Sequence, residues 1–277
     1  MFVSRGLVVG FTVALAGLAL SGCGTRLNKA PVEDRGTSSS SAPSSSAQPG
    51  VVVGTSIKPL PGAEVLMDGS RQMLDDKWTY WQGPRFRSSL PIKWPVVPDP
   101  VDGGTCIKTD DPAAAGGVYG AADIVTKAVY RDFRLHIEFW IGGPGGNSGV
   151  YLQNRYEIQI CDGDRTSHGL GAVINETPAP YHMYKGIGKW NSYDIVFRAA
   201  RFAGGKMVEK PLTTIYLNGQ RVHTNVRINQ VWGGPFSGVD GGNDDGKGIT
   251  DTPQGLKLQC EGHDAGGPTR LPTPCGC

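Results

Sequence analysis

The sequence lacks an excess of charge of either sign. Its 277 residues carry 27 Lys and Arg against 25 Asp and Glu, which gives a net charge of +2 at pH 7. A protein that binds nucleic acid through its phosphates shows a clear basic excess. The charge balance therefore excludes DNA and RNA as expected partners.

The sequence also lacks helical periods and has no apolar run long enough to span a bilayer comfortably. Its longest such run, Gly6–Leu20, is short for that purpose. Glycine (41) and proline (20) together make up 61 of 277 residues, or about 22%, against about 12% in average proteins. Both residue types disfavour helix interiors, so the composition excludes a coiled coil or helical bundle and favours strands joined by turns.

The N-terminus has the pattern of a bacterial secretion signal that ends at a cysteine. Arg5 precedes the apolar run, and the segment Leu20-Ser21-Gly22-Cys23 then resembles the lipobox of bacterial lipoproteins. That resemblance implies cleavage before Cys23 and attachment of lipid to its thiol. We therefore expect residues 1–22 to be a signal peptide and the protein to be anchored in the cell envelope, at the outer membrane or facing the periplasm.

The rest of the chain divides by composition into three parts. Residues 23–60 include the serine-rich run Thr37–Ser46 and are predicted to be a disordered, flexible tether. Residues 61–263 form the predicted globular domain. Residues 264–277 form an atypical tail of glycine, proline and cysteine.

Alternation of apolar and polar residues predicts several short strands. Phe133–Ile141 alternates strictly, and Asn218-Gly219 between two alternating runs predicts a hairpin over Thr213–His223. The other predicted strands are two within Ser148–Cys161, joined near Asn154-Arg155, one at Ser192–Phe197 and one at Gly255–Glu261. Many short strands without helical periods predict an all-β fold, a jelly-roll β-sandwich.

The polar faces of these strands are rich in amides, carboxylates and aromatic rings. Amides and carboxylates pair with hydroxyl groups and aromatic rings stack on sugar rings, so such a face suits carbohydrate. A plain solvated sheet surface is the alternative interpretation. The side chains concerned are Trp140, Tyr151, Gln153, Glu157, Gln159, Gln259, Glu261 and His263.

Six segments of the chain, in order, resemble the 3-keto-disaccharide hydrolase domain family. They are Asp132–Phe139, Gly146–Leu152, Tyr156–Ile160, Trp190–Ile195, Leu217–Gly219 and Leu256–Gln259. The most specific part is Gly-Asn-Ser-Gly followed by Tyr-Glu-x-Gln. The resemblance implies a concanavalin-like jelly roll that acts on 3-keto-glycosides.

A ketone at C3 of a sugar acidifies the C2 proton, so the glycosidic bond at C1 can break by elimination followed by hydration. This chemistry needs a base near C2 and a positive group or metal at the developing enolate. We expect Glu157 to be the base and His263 or Lys185 to be the electrophile, or else a divalent metal held by Glu138, Glu157 and His263. The residues expected to bind substrate are Asn147, Tyr151, Gln153, Gln159, Trp190, Gln259 and Glu261. A partner sugar 3-dehydrogenase would make the ketone.

Two other functions compete with this one. An ordinary retaining glycosidase needs two carboxyl groups about 5–5.5 Å apart, whereas Glu157 and Asp162 lie too far apart along a strand, so we disfavour it. A non-catalytic carbohydrate-binding or adhesion domain stays open, because a jelly roll does not fix function. A degenerate, poorly folded relative is a third interpretation.

The C-terminus departs from the family pattern. The family has a closing strand after Leu-Gln, but no strand can be predicted in residues 264–277, and a missing strand would expose a sheet edge. Cys161 and Cys260 each end a family strand and are the predicted disulfide. That bridge requires adjacent strands and a local twist or bulge.

Overall fold

The structure is a computed structural model that describes residues 2–10, 62–80, 92–109, 123–231 and 248–260, with residues 2–10 described as backbone. The predictions for residues 23–60 and 264–277, and those for Cys23, Glu261 and His263, lie outside these ranges. Within these ranges, no helix is both long and apolar enough to cross a membrane.

The described residues form strands and one short α-helix. In chain order the strands are β1 (Phe2–Gly10), β2 (Glu64–Met67), β3 (Trp78–Tyr80), β4 (Val96–Pro98), β5 (Thr105–Lys108), β6 (Ile124–Thr126), β7 (Phe133–Ile141), β8 (Asn147–Leu152), β9 (Tyr156–Cys161), β10 (Trp190–Arg198), β11 (Arg201–Ala203), β12 (Lys206–Glu209), β13 (Leu212–Leu217), β14 (Gln220–Arg227) and β15 (Lys257–Leu258). The helix α1 spans Arg71–Lys77.

Most of these strands belong to two antiparallel sheets. The large sheet has the order β14-β13-β10-β7-β1-β5-β4, with β2 also paired to β1. The small sheet has the order β3-β6-β15-β8-β9, and β11 pairs with β12 in a separate ribbon.

The core lies between the large and the small sheet. Phe139 packs on Tyr193 within the large sheet, with ring centroids 4.7 Å apart. Tyr156 of the small sheet meets Phe197 of the large sheet, with ring centroids 5.7 Å apart. The two sheets thus bury one face each against the other, which confirms the predicted jelly-roll β-sandwich. Each sheet keeps an outer face that points away from this core.

The strand predictions are confirmed in most places. β7 has the predicted bounds, and β8 and β9 are joined by a turn in which Gln153 and Asn154 have φ of 50° and 54°. Asn218 (φ 52°) and Gly219 (φ 81°) form the turn between β13 and β14, as predicted. The last predicted strand is shorter than expected, because only Lys257–Leu258 forms a strand.

The helix α1 was not predicted. Its seven residues are too few to show a helical period in the sequence. Ser70 caps its N-terminus, since the Ser70 hydroxyl accepts a hydrogen bond from the Met73 N–H at 3.1 Å. Leu74 is its one buried residue, so the helix adds little to the core.

The backbone of β1 is an internal strand of the large sheet. It pairs with β7 from Phe2 opposite Ile141 to Gly10 opposite Arg134. Its other edge pairs with β5 and β2. The same residues lie within the predicted signal peptide, and among the described strands they join β7 to β5 and β2.

Candidate functional site on the small sheet

The outer face of the small sheet carries two rows of side chains that cross three strands. In the first row, Tyr151 of β8 lies between Lys257 of β15 and Glu157 of β9. Alternation then places every second residue of these strands on the same face, with neighbouring strands about 4.8 Å apart. The row therefore brings an ammonium, a phenol and a carboxylate side by side.

The second row has a glycine at its centre. Gly149 lies opposite Gln159 of β9, and the Gln259 N–H donates to the Gly149 carbonyl at 3.0 Å. Asn147 follows on the same strand face, opposite Cys161. The structure thus brings together five predicted site residues: Asn147, Tyr151, Glu157, Gln159 and Gln259.

The Glu157 carboxylate contacts a phenol on one side and packs against a glycine on the other. The Tyr151 hydroxyl donates to Glu157 Oε2 at 2.8 Å. A Cβ atom at Gly149 would overlap Glu157 Oε1 and lie 2.8 Å from Cδ, so only glycine leaves room for this carboxylate. Glu157 is 3% exposed although it faces away from the core, and its contacts with Tyr151 and Gly149 restrict where the carboxylate can lie.

A buried ion pair adjoins this carboxylate and phenol. Lys257 Nζ lies 3.8 Å from the centroid of the Tyr151 ring and 2.7 Å from Asp123 Oδ2. The other Asp123 oxygen accepts the Cys260 N–H at 2.8 Å. Both charged side chains are almost fully buried, so each depends on its partner.

Sequence reasoning missed both members of that pair. Lys257 could have been found, because it alternates with Gln259 on the strand that was predicted. Asp123 gave no such signal, since it precedes β6, a strand of three residues that was not predicted.

Core side chains of the large sheet hold the edge of β9. The Tyr193 hydroxyl donates to the Gln159 carbonyl at 2.5 Å, and burial raises the pKa of Tyr193 well above its ordinary value. His223 Nε2 lies 2.8 Å from the carbonyl of Gly171, whose own N–H bonds to Gln159. Burial lowers the pKa of His223, which favours the neutral imidazole. Both side chains support the backbone beneath the site.

The proposed metal ligands do not come together. Glu138 of β7 pairs with Ser192 of β10, on the outer face of the large sheet, whereas Glu157 lies on the outer face of the small sheet. Two packed sheets about 10 Å apart separate these carboxylates, so they cannot bind one ion. The described ranges contain no group of three His, Cys, Asp or Glu side chains that could hold a metal.

Lys185 also belongs to the other side of the molecule. Burial lowers the pKa of Lys185, and the carboxylate of Glu138 acts in the opposite direction. Its backbone N–H donates to Asn191 Oδ1 of β10 at 3.0 Å, so Lys185 lies beside the large sheet. The expectation that it would act beside Glu157 is not met.

Two further residues expected to bind substrate have other contacts. Gln153 lies in the turn after β8, where its Nε2 donates to the Tyr130 carbonyl at 2.7 Å. Trp190 lies on the outer face of the large sheet, and its Nε1 donates to Asp99 Oδ1 at 3.1 Å. Neither residue joins the rows around Glu157.

The predicted disulfide between Cys161 and Cys260 is not formed, since Cys260 is a buried thiol. β8 lies between β9 and β15, which puts the two residues about two strand spacings, or 9–10 Å, apart. A disulfide requires Cα atoms within about 7 Å. Cys260 also packs in the core, whereas Cys161 faces outward.

The large sheet has a polar cluster of its own on its outer face. His136 Nδ1 lies 2.6 Å from Asp194 Oδ1, and both side chains are buried. Within the described part of the chain, His136 Nε2 has no hydrogen-bond partner. The carboxylate therefore orients an imidazole on the side of the sandwich opposite Glu157.

The site is thus a buried carboxylate with a phenol and amides on one outer face of a jelly-roll sandwich, an arrangement that suits carbohydrate. Residues 62–266 match the family model of the 3-keto-alpha-glucoside-1,2-lyase-like domain. The chain belongs to this family, which confirms the resemblance seen in its six sequence segments.

One solved structure agrees on the fold. The crystal structure of a candidate glycosyl hydrolase from Parabacteroides distasonis has 22% sequence identity and a TM-score of 0.51, and covers 78% of this chain and 86% of that chain. A second such structure from the same organism has 18% identity and a TM-score of 0.34 over 51% of this chain and 69% of that chain. None of the curated proteins compared with the chain matches it.

Proposed function

We propose that this protein is an enzyme that cleaves 3-keto-glycosides, with Glu157 as the base. Family membership supports action on carbohydrate. The observation that carries the proposal is the geometry of Glu157, a buried carboxylate with the Tyr151 hydroxyl on one oxygen and with the other oxygen packed against Gly149. One fixed carboxylate is what proton abstraction next to a ketone requires.

In the proposed reaction, Glu157 removes the C2 proton of a 3-keto-glycoside. The electron pair of that C–H bond forms a C1=C2 double bond while the C1–O bond breaks, and the leaving alcohol takes a proton. Water then adds to the unsaturated product and gives the free 3-keto sugar. Negative charge grows on O3 as the proton leaves, so a nearby positive group lowers the barrier. Lys257, rather than Lys185, is the ammonium on the same sheet face as Glu157.

The geometry does not favour a retaining glycosidase. Such an enzyme needs a second carboxyl group about 5–5.5 Å from the first. Asp123 adjoins β6, and β15 and β8 both lie between β6 and β9, so the two carboxylates come from strands that are not neighbours. Its carboxylate is also engaged by Lys257.

The test compares oxidised and unoxidised substrates. The protein is incubated with 3-keto-trehalose or 3-keto-glucosides and with their unoxidised parents, with and without a chelator, and release of free sugar is followed. Release from the keto forms alone supports elimination. Loss of that release with the chelator would indicate that the reaction also needs a metal at the enolate oxygen. Equal release from the unoxidised parents would contradict the proposal.

A binding module would give a different result. The amide rows formed by Gln159 and Gln259 suit sugar hydroxyls whether or not a reaction follows. A carbohydrate-binding domain would bind unoxidised glycans, release no sugar and tolerate Glu157→Gln. The enzyme should lose turnover with that substitution while it keeps substrate binding.

We further propose export and lipid attachment at Cys23, supported by the tetrapeptide that ends there. Metabolic labelling with a fatty-acid analogue should mark the protein, and Cys23→Ser should abolish the label. The substrate also requires an oxidoreductase, because a C3 ketone arises by oxidation of the C3 hydroxyl. A sugar 3-dehydrogenase is therefore the proposed functional partner.

A further inference from the structure

The large sheet depends on a strand that comes from the first ten residues of the chain. β1 pairs with β7 along its whole length, with one irregularity between Arg5 and Leu7. On the opposite edge, Val3 and Ser4 pair with β5, and Leu7 to Val9 pair with β2. Both edges of β1 are therefore used.

Without β1 the large sheet would be divided. β7 would lose its ladder from Arg134 to Ile141 and become an edge strand in the middle of the sandwich. β5 with β4, and also β2, would lose the pairing that connects them to β7. Unpaired backbone groups at such a place are costly, and an open edge recruits other strands.

The composition of the segment suits this position. Phe2, Val3, Val8 and Val9 are aromatic or β-branched residues, which favour strands. The C-terminal tail, residues 264–277, has a sequence of glycine, proline and cysteine that predicts no strand to take the same place.

We propose that Phe2–Gly10 is a structural strand of the folded chain, and that cleavage before Cys23 opens a strand-sized slot between β7 and β5. Folding and lipoprotein processing then compete for the same residues. In a chain that folds before processing, part of the signal peptide is paired within the large sheet. In a chain that is processed before folding, the edges of β7 and β5 need other pairing partners.

The test uses the full chain with Cys23→Ser, so that no lipid is added. In this background Val8→Pro removes a backbone donor from β1, at a position paired with both His136 and Val65. Ala47→Pro, directly after the serine-rich run Thr37–Ser46, is the matched control. We expect Val8→Pro alone to lower the melting temperature and to speed hydrogen exchange of β7 amides by about tenfold or more. Equal melting and equal exchange in the two variants would overturn the proposal.

A second measurement keeps the proposal testable if Val8→Pro does not fold. Val3 pairs with Trp140, so Val3→Cys with Trp140→Cys should form a cross-strand disulfide in the folded Cys23→Ser chain. Val3→Cys with Arg134→Cys, six residues along the same strand, is the control and should not cross-link. No cross-link in the first pair, or equal yields in both pairs, would contradict the assignment of β1.

Discussion

The two outer faces of this sandwich carry similar groups but arrange them differently. On the small sheet, the Tyr151 hydroxyl donates a hydrogen bond to Glu157, and the Glu157 carboxylate packs against Gly149. On the large sheet, His136 and Asp194 form a separate buried pair, and Glu138 lies two residues further along β7. Burial and polarity alone therefore do not identify the site. Cross-strand register does, because it decides which side chains meet.

The sharpest way to test this comparison is to remove one carboxylate from each face. Glu157→Gln should lower turnover on a 3-keto-glycoside by about 10²–10⁴-fold, because the amide cannot accept the C2 proton. Glu138→Gln, at a residue equally buried, is the matched control and should keep most of the activity. Steady-state kinetics on both variants measure this. The reverse result would move the active site to the large sheet.

The next largest effect should be on stability. Lys257→Met removes the ammonium that neutralises the buried carboxylate of Asp123, which should lower the free energy of unfolding by about 3–5 kcal/mol. Adding Asp123→Leu should recover part of that loss. Denaturant unfolding measures both, with Lys189→Met at an exposed position as the control. A loss no greater than that of the control would mean that the pair is not buried as described.

A smaller change should show whether turnover depends on where the Glu157 carboxylate lies, since it moves this side chain without removing it. Gly149→Ala forces Glu157 to move, since the new methyl group would overlap its carboxylate. We expect turnover to fall about 10²-fold, as a displacement of about 1 Å can cause. Gly143→Ala is the control, because nothing lies within 4 Å of a Cβ atom there. Full activity in Gly149→Ala would show that turnover does not require the Glu157 carboxylate to pack against this glycine.

The smallest expected effect concerns pH. Because burial lowers the pKa of His223 in the folded state, the unfolded chain binds a proton more readily. Stability from the neutral imidazole is therefore complete above the unfolded pKa of about 6.5 and is lost as pH falls below it. Melting temperatures between pH 8 and pH 5 should fall less steeply in His223→Gln than in the parent or in His182→Gln. Parallel curves in all three would contradict this assignment.

Much of the fold followed from alternation and turn residues. The run from Phe133 to Ile141 predicted one strand, because strict alternation is typical of a half-buried strand. The Asn218-Gly219 turn predicted one strand pair, because both residues readily adopt positive φ. The helix α1 and the strand β6 were missed, since elements of seven and three residues show no period.

The candidate site was predicted only in part. Alternation along β8 and β9 correctly grouped Tyr151, Glu157 and Gln159. It wrongly added Glu138, because alternation tells which face of a strand a residue occupies but not which sheet the strand joins. Lys185 lies in no strand and was added only as a candidate positive group. Asp123 could not be found, since its role depends on a contact with Lys257, 134 positions away.

That sequence separation also sets when the site can form. β15 pairs with β6 across more than 130 residues, and loop-closure entropy makes such long-range contacts slow to form. During synthesis, β8 and β9 can pair as a hairpin long before Lys257 leaves the ribosome. The charged pair beside Glu157 is then among the last contacts to close, so a chain that ends early has most of its strands and lacks the site.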